Sequence, residues 1–162
     1  MPTTPARYTG AVIVASDRVY EKQRDNISGD LAAHLLSHHD VHVSRTEVIP
    51  EGQEPLRQLL KACVDDGIDV IAVVGSTGVG VGNYTPEISA ELIDARLYGL
   101  ETQVLLEGLK NSPKAGLCRG IIGLTQHGGG SLIINSASSK GGVKDTLGVV
   151  LPLLGDIFWH CS

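Results

Sequence analysis

Three stretches of this chain, residues 10–15, 69–74 and 131–135, are apolar almost without a break, and each runs into small or polar residues followed by a helical repeat. A strand that lacks polar alternation is buried on both faces, which is the situation of strands in a parallel sheet covered by helices. The intervening chain fits that reading. Residues 41–48 alternate partly and are rich in β-branched side chains, so they read as a further strand, and residues 131–135 then become the fourth. Leu56, Leu59, Leu60, Cys63 and Val64 fall at i, i+3, i+4, i+7 and i+8, an amphipathic helix with Pro55 suited to its first turn. Leu31, Ala32, Leu35 and Leu36 recur at helical spacing behind a cap at Asn26 or Ser28. Residues 101–109 read as helical, and residues 117–124 are ambiguous. A last helix carries the stripe Val143, Leu147, Val150, Leu151 and Leu154, with Pro152 placed to kink or stop it. Strand and helix alternating at roughly 30 residues per unit predict βαβ crossovers. The expected fold is therefore α/β: three layers, a mostly parallel central sheet and helices on both faces. It forms one domain over residues 8–162 behind a loose tail at residues 1–7.

Composition narrows the function. The chain has 162 residues, large enough for a proper core, and only 4% of them are aromatic, so that core is aliphatic and base-stacking platforms are not expected. A net charge of −5 argues against a nonspecific nucleic-acid binder. No apolar run reaches the ~18 residues of a membrane span, and the first residues lack the apolar core of a secretory leader. Cys63, Cys118 and Cys161 show neither zinc spacing nor a closed disulfide set, which fits a reducing cytoplasm. His34 and His38 are spaced i, i+4, but no glutamate stands between them as a metalloprotease needs and Asp40 is only a weak third ligand, so they read as a solvated helix end. His127 reads as part of a turn and His160 as part of the tail.

In parallel α/β sheets ligands sit outside the carboxyl ends of the strands, which points to residues 16–28, 75–84 and 136–142. The second of these has glycine at 75, 78, 80 and 82, so its backbone can turn sharply and approach a ligand. Thr85, Pro86 and Glu87 follow as a cap residue, a first-turn proline and a first-turn acid, and the helix they open offers free N–H groups to an anion. No lysine follows these glycines as a P-loop requires, and their spacing is not the dinucleotide fingerprint. The third loop has Ser138 and Ser139 to donate to phosphate oxygens and Lys140 to supply a charge. At the end of the first strand, Asp17 and Arg18 stand where a site residue is expected.

The chain resembles the molybdopterin-binding family that includes bacterial molybdopterin adenylyltransferases. The likeness rests on Ser16-Asp17-Arg18, Ser28-Gly29, Val48-Ile49-Pro50-Glu51, Cys118-Arg119-Gly120, Leu132-Ile133-Ile134-Asn135 and Gly141-Gly142-Val143. Above all it rests on Gly75-Ser76-Thr77-Gly78 followed by Thr85-Pro86-Glu87. It runs from about Tyr8 to Pro152. It implies binding of the dithiolene pterin molybdopterin through its phosphate, and transfer of AMP from Mg-ATP onto that phosphate with release of pyrophosphate. It implies Asp17, Glu51 and Asn83 as catalytic residues, with Glu51 and Asn83 toward Mg²⁺. Gly75, Ser76, Thr77, Gly78, Thr85 and Pro86 join Ser138, Ser139 and Lys140 in binding substrate phosphate. Asp25 and Asp30 are weaker Mg²⁺ partners. A homotrimer or hexamer is implied, with exposed aromatics at Phe158 and Trp159 as a subunit contact.

The departures from the family pattern lie in the same segments. Ser76 stands where the loop usually has a second glycine, Asn83 where it has aspartate, Glu51 where it has aspartate, and residues 136–139 replace a Pro-Gly-Ser type of sequence. Three functions follow as expectations: AMP transfer, a binding protein that keeps the ligand site without transfer, and an interaction module with no small ligand.

Overall fold

The computed structural model describes residues 5–159; His160, Cys161 and the first four residues of the expected tail lie outside them. β1 (Tyr8–Ala15), β2 (Val41–Ile49), β3 (Val70–Val74), β4 (Ala95–Arg96), β5 (Ile122–Gln126) and β6 (Gly129–Ser136) form one sheet in the order β2-β1-β3-β6-β5-β4. β2, β1, β3 and β6 are mutually parallel, while β5 runs antiparallel to β6, and β4 antiparallel to β5. The sheet is thus mostly parallel, as expected. The ambiguous segment resolves into the end of a 3₁₀ turn (Pro113–Leu117) and β5, and residues 131–135 belong to the sixth strand, because β4 and β5 precede it.

Period-two alternation along each buried strand sends side chains to opposite faces. Val12 and Val14, Ala72 and Val74, and Leu132 and Ile134 face one layer, with α2 (Ile27–Ser37), α5 (Tyr98–Leu109), α6 (Lys140–Val150) and α7 (Leu154–Trp159). Ala11 and Ile13, Ile71 and Val73, and Ile133 face the other, with α3 (Glu54–Asp65) and α4 (Thr85–Leu92). Burying several aliphatic side chains on each face, at roughly 1.5–3 kcal/mol apiece, supplies the main driving force. Cys63 is fully buried on the α3 stripe, and burial pushes its thiol above the ordinary cysteine range. Asn26 is the cap of α2, its side-chain oxygen accepting from the Gly29 N–H at 3.2 Å. Pro152 ends α6 in a 3₁₀ turn before α7 resumes. The loop after β1 also holds a short helix, α1 (Asp17–Tyr20), capped by Ser16.

Candidate functional site

Because β1, β3 and β6 are parallel, their carboxyl ends bring the three loops to one edge of the sheet. The chain leaves β1 toward β2 on one side and β3 toward β4 on the other, so this edge contains a switch point, where α/β sheets bind ligands. Gly75 makes the junction feasible. Its φ is +98°, and a Cβ there would lie 2.6 Å from the Ala15 carbonyl oxygen. Its N–H donates to the Ser136 carbonyl at 2.9 Å and ties the glycine loop to the loop after β6. Ser76 follows with φ +56°, its hydroxyl 3.0 Å from the Ala15 carbonyl and 3.3 Å from Glu51 Oε1. The Glu51 N–H donates to Asp17 Oδ1 at 2.9 Å. Asp17, Glu51 and Ser76, from the loops after β1, β2 and β3, are therefore joined in one chain of contacts.

The glycine loop is tied down from within. The Thr85 N–H donates to the Ser76 carbonyl at 3.2 Å, and the Thr85 hydroxyl donates to the Gly75 carbonyl at 2.8 Å. This corrects the expected cap. The N-cap is Tyr84, which makes no side-chain bond, while Thr85 is the first helical residue, fully buried, with its hydroxyl turned back to the end of β3. Asn83 Oδ1 accepts from the Gly78 N–H at 3.1 Å. The Asn83 and Tyr84 N–H groups donate to the Gly80 and Gly82 carbonyls. Thr77 and Pro86 are buried. The amides of residues 75, 78, 83, 84 and 85 thus have partners inside the protein.

Arg119, quoted above only as part of a motif, holds this loop from outside. Its N–H donates to the Thr77 carbonyl at 2.8 Å, its Nε to the Gly78 carbonyl at 2.9 Å and its Nη2 to the Asn83 carbonyl at 3.0 Å. The same guanidinium clamps Glu87 at 2.7 and 3.2 Å, in the fork geometry that arginine forms with carboxylates. That hydrogen bonding holds the Glu87 carboxyl below the usual glutamate range and raises Arg119. The neighbouring Cys118 Sγ lies 3.4 Å from Thr77 Oγ1.

The loop after β6 is open by comparison. Ser138, Ser139 and Lys140 are exposed. Ser139 caps α6, its Oγ accepting from the Gly142 N–H at 3.0 Å, and the Ser28 hydroxyl donates to the Ser138 carbonyl at 2.6 Å. Lys140 has no ion pair among the described residues. Two clefts flank this loop and share Ser139. A smaller one of about 230 Å³ lies among Ser16, Arg24, Asp25, Ser28 and Lys140. A larger one of about 660 Å³ lies between α5, the 3₁₀ turn and α6, with Val104, Leu105, Ile122 and Ala137 among its apolar walls. A largely apolar cleft with a few converging polar groups is the form that small-molecule sites take.

A family model described as a probable molybdopterin binding domain matches residues 11–156. The chain belongs to that family. A Corynebacterium diphtheriae protein attributed to molybdenum cofactor biosynthesis superposes with a TM-score of 0.88 at 34% identity, over 96% of this chain and 98% of its own. The molybdopterin adenylyltransferase of Helicobacter pylori strain J99 is 26% identical over 88% of this chain and 81% of its own length. The molybdenum cofactor synthesis protein cinnamon of Drosophila melanogaster is 27% identical over 91% of this chain, which spans only 26% of that protein's length.

Within the molybdopterin-binding family the departures now have physical content. Ser76 has a left-handed φ of +56°, a conformation that favours glycine, while its hydroxyl reaches the Ala15 carbonyl and Glu51. Asn83 directs its side-chain oxygen to the loop's own Gly78 N–H rather than outward. Glu51 faces the loop at Gly82, where an added Cβ would stand 3.4 Å from Glu51 Cβ. Asp30 lies apart on α2, and among the described residues no three His, Cys, Asp or Glu side chains cluster as a metal site. Arg119 and the wall of the larger cleft escaped sequence reasoning, because the residues they join are dozens of positions apart.

Proposed function

We propose that this protein serves molybdenum cofactor synthesis by binding molybdopterin and transferring AMP from ATP to its terminal phosphate. A pterin phosphate oxygen attacks the α-phosphorus of ATP, the bond to the β-phosphate oxygen breaks, and pyrophosphate leaves. The observation that carries this reading is the 660 Å³ cleft opening at the carboxyl edge of the sheet, with the exposed Ser139 at the start of α6 on its wall. The pterin takes that cleft, and its phosphate lies toward Ser138, Ser139 and Lys140. Arg119 and Thr85 fix the glycine loop beside it. Transfer of this kind is mostly positioning and charge neutralisation. Of the residues implied toward Mg²⁺, Glu51 and Asn83 would hold it together with phosphate oxygens and water, and Asp17 accepts from the Glu51 N–H beside them. The ion supplies neutralisation of phosphate charge when bound. The likeness to a named molybdopterin adenylyltransferase supports the reaction.

Incubating the protein with molybdopterin and Mg-ATP tests this. Pyrophosphate release that requires molybdopterin is expected; ATP and molybdopterin that both bind without release would leave a binding protein. One observation favours that second reading: the Asn83 side-chain oxygen is engaged by Gly78 and brings no charge. Asn83→Asp then separates the two, since a gain in release identifies this position as the deficit.

We further propose assembly into a trimer or hexamer in the cytoplasm. Leu106 at 58%, Leu117 at 58% and Trp159 at 72% exposure leave apolar surface that assembly would cover. Light scattering giving a monomer mass would overturn it. No helix among the described residues is long and apolar enough to cross a membrane.

A further inference from the structure

Most polar groups on the wall of the larger cleft already have partners. Glu101 grips Arg96 through both oxygens at 2.6 and 2.8 Å and accepts from the Ile122 N–H at 3.1 Å. The Asn135 carboxamide accepts from the Ile121 N–H at 3.1 Å and donates to Ser89 at 2.9 Å. Arg119 is engaged by the glycine loop and Glu87. Asp145 differs. Its carboxylate lines the cleft, is partly buried, and among the described residues has neither an ion pair nor a hydrogen-bond donor. Gly108 on the facing helix keeps it uncovered: a Cβ at 108 would stand 3.8 Å from Asp145 Oδ2 and only 2.9 Å from Ala115 Cβ. Neither oxygen is sealed from solvent, so both are free to accept from a ligand in the cleft in place of water.

We propose that Asp145 is the residue that recognises the pterin ring, accepting from the N3–H and 2-amino groups of its 2-amino-4-oxopyrimidine edge. These two donors lie side by side and match the two oxygens of a carboxylate, as the two arms of a guanidinium do. The cleft supplies the rest of a ring site. Val104 and Leu105 from α5 and Ile122 from β5 offer apolar contact to the flat faces of a heterocycle. Asp145 lies on α6, the helix that Ser139 caps and Lys140 begins, so one helix carries both Asp145 and the end of the serine loop. This inference rests on the pterin reading above and assigns the group within it that selects the ring.

The test compares 6-hydroxymethylpterin with its lumazine counterpart, in which a carbonyl replaces the 2-amino group, by calorimetric titration of the full chain. The parent protein is expected to prefer the pterin by about tenfold or more, because a site built to accept from a donor rejects the analogue that lacks it. Asp145→Asn is expected to bring the two affinities within about twofold, and Asp145→Glu to keep the preference in weakened form. A purely structural role for Asp145 would lower both affinities and leave their ratio unchanged. Guanosine monophosphate carries the same edge on a different ring; binding tighter than the pterin would overturn the assignment. So would a parent protein without preference, or an Asp145→Asn protein that keeps it. The outcome is separable from the AMP-transfer reading. Preference without pyrophosphate release leaves Asp145 standing and removes the reaction, whereas release with an unchanged molybdopterin KM in Asp145→Asn leaves the reaction and removes Asp145.

Discussion

The loops after β3 and β6 are built on one plan, strand to small residues to helix, yet they end in opposite states. The glycine loop is closed on itself and clamped from outside by Arg119, with Ser76, Thr77 and Thr85 buried. The serine loop stays exposed, with Ser138, Ser139 and Lys140 facing solvent between two clefts. Glycines are usually read as room for a ligand. Here their freedom is used first for packing: Gly75 lets β3 pass against the Ala15 carbonyl, and Gly82 at φ +92° lets the loop turn beside Glu51. The loop richer in glycine is the rigid frame, and the loop with ordinary side chains presents them.

If that division is right, the largest effect of a single change comes from filling the frame. Gly75→Ala puts a methyl 2.6 Å from a backbone oxygen at a φ that L-residues avoid, so both overpacking and strain apply. A loss of about 3 kcal/mol in urea unfolding is expected. A loss under about 0.5 kcal/mol would mean that the loop can move and is no frame.

Next comes the clamp. Arg119→Met removes four hydrogen bonds from Arg119 side-chain nitrogens to the loop and Glu87 without touching the core, and is expected to cost about 1–2 kcal/mol. Its sharper signature is hydrogen exchange. Amides of residues 77–84 should exchange faster while those of β1 and β3 stay protected. The clamp also has a defined pH range. Glu87 titrates below the ordinary glutamate value of ~4.3, so the ion pair is intact at and above that value and is lost only as pH falls through the lowered pKa. The protection factors of these amides, corrected for the intrinsic pH dependence of exchange, should therefore hold through the ordinary glutamate range and fall only as pH drops through the lowered Glu87 value.

What could be read from the sequence follows the same division. Unbroken apolar runs and helical stripes announce β1, β3, β6 and α3, because burial on both faces leaves no polar residue to blur the signal. β4 is two residues long and gives no such signal, and β5 runs Ile-Gly-Leu-Thr-Gln, too short and mixed to separate from a turn. That residues 75–84 turn sharply was legible from the glycines. What they bond was not, since Arg119 lies 41 positions from Gly78 and 32 from Glu87 in the chain. Thr85 looked like a cap by position, but Tyr84 is the cap and Thr85 the first helical residue, and its buried hydroxyl finds an acceptor just past the strand end. Ser139 needs no long-range partner to act as a cap, yet residues 136–142 read as loop, whereas the helix already begins at Lys140.

The presenting loop should respond in the opposite way to the frame. Lys140→Ala is expected to leave stability within about 0.5 kcal/mol, as exposed substitutions do. It should weaken the binding of a phosphorylated pterin by roughly tenfold, while the unphosphorylated ring binds as before. Unfolding curves and titrations with both ligands check this. Equal weakening of both ligands would place Lys140 against the ring instead of the phosphate and blur the distinction between the two loops.

The smallest expected effect is the most discriminating, because it lies one residue from the largest. Ser76→Gly restores the glycine usual in the family at a left-handed position. It relieves a non-glycine φ of +56°, worth about 1 kcal/mol, and loses the hydroxyl bond to the Ala15 carbonyl, worth about the same. The two should nearly cancel, leaving stability within about 0.5 kcal/mol of the parent. What should change is Glu51, which loses the hydroxyl 3.3 Å from its Oε1. If Ser76 holds that carboxylate, Ser76→Gly alters the Mg²⁺ dependence of pyrophosphate release while the urea midpoint stays put. A shift in the midpoint with unchanged Mg²⁺ dependence would instead make Ser76 part of the frame alone.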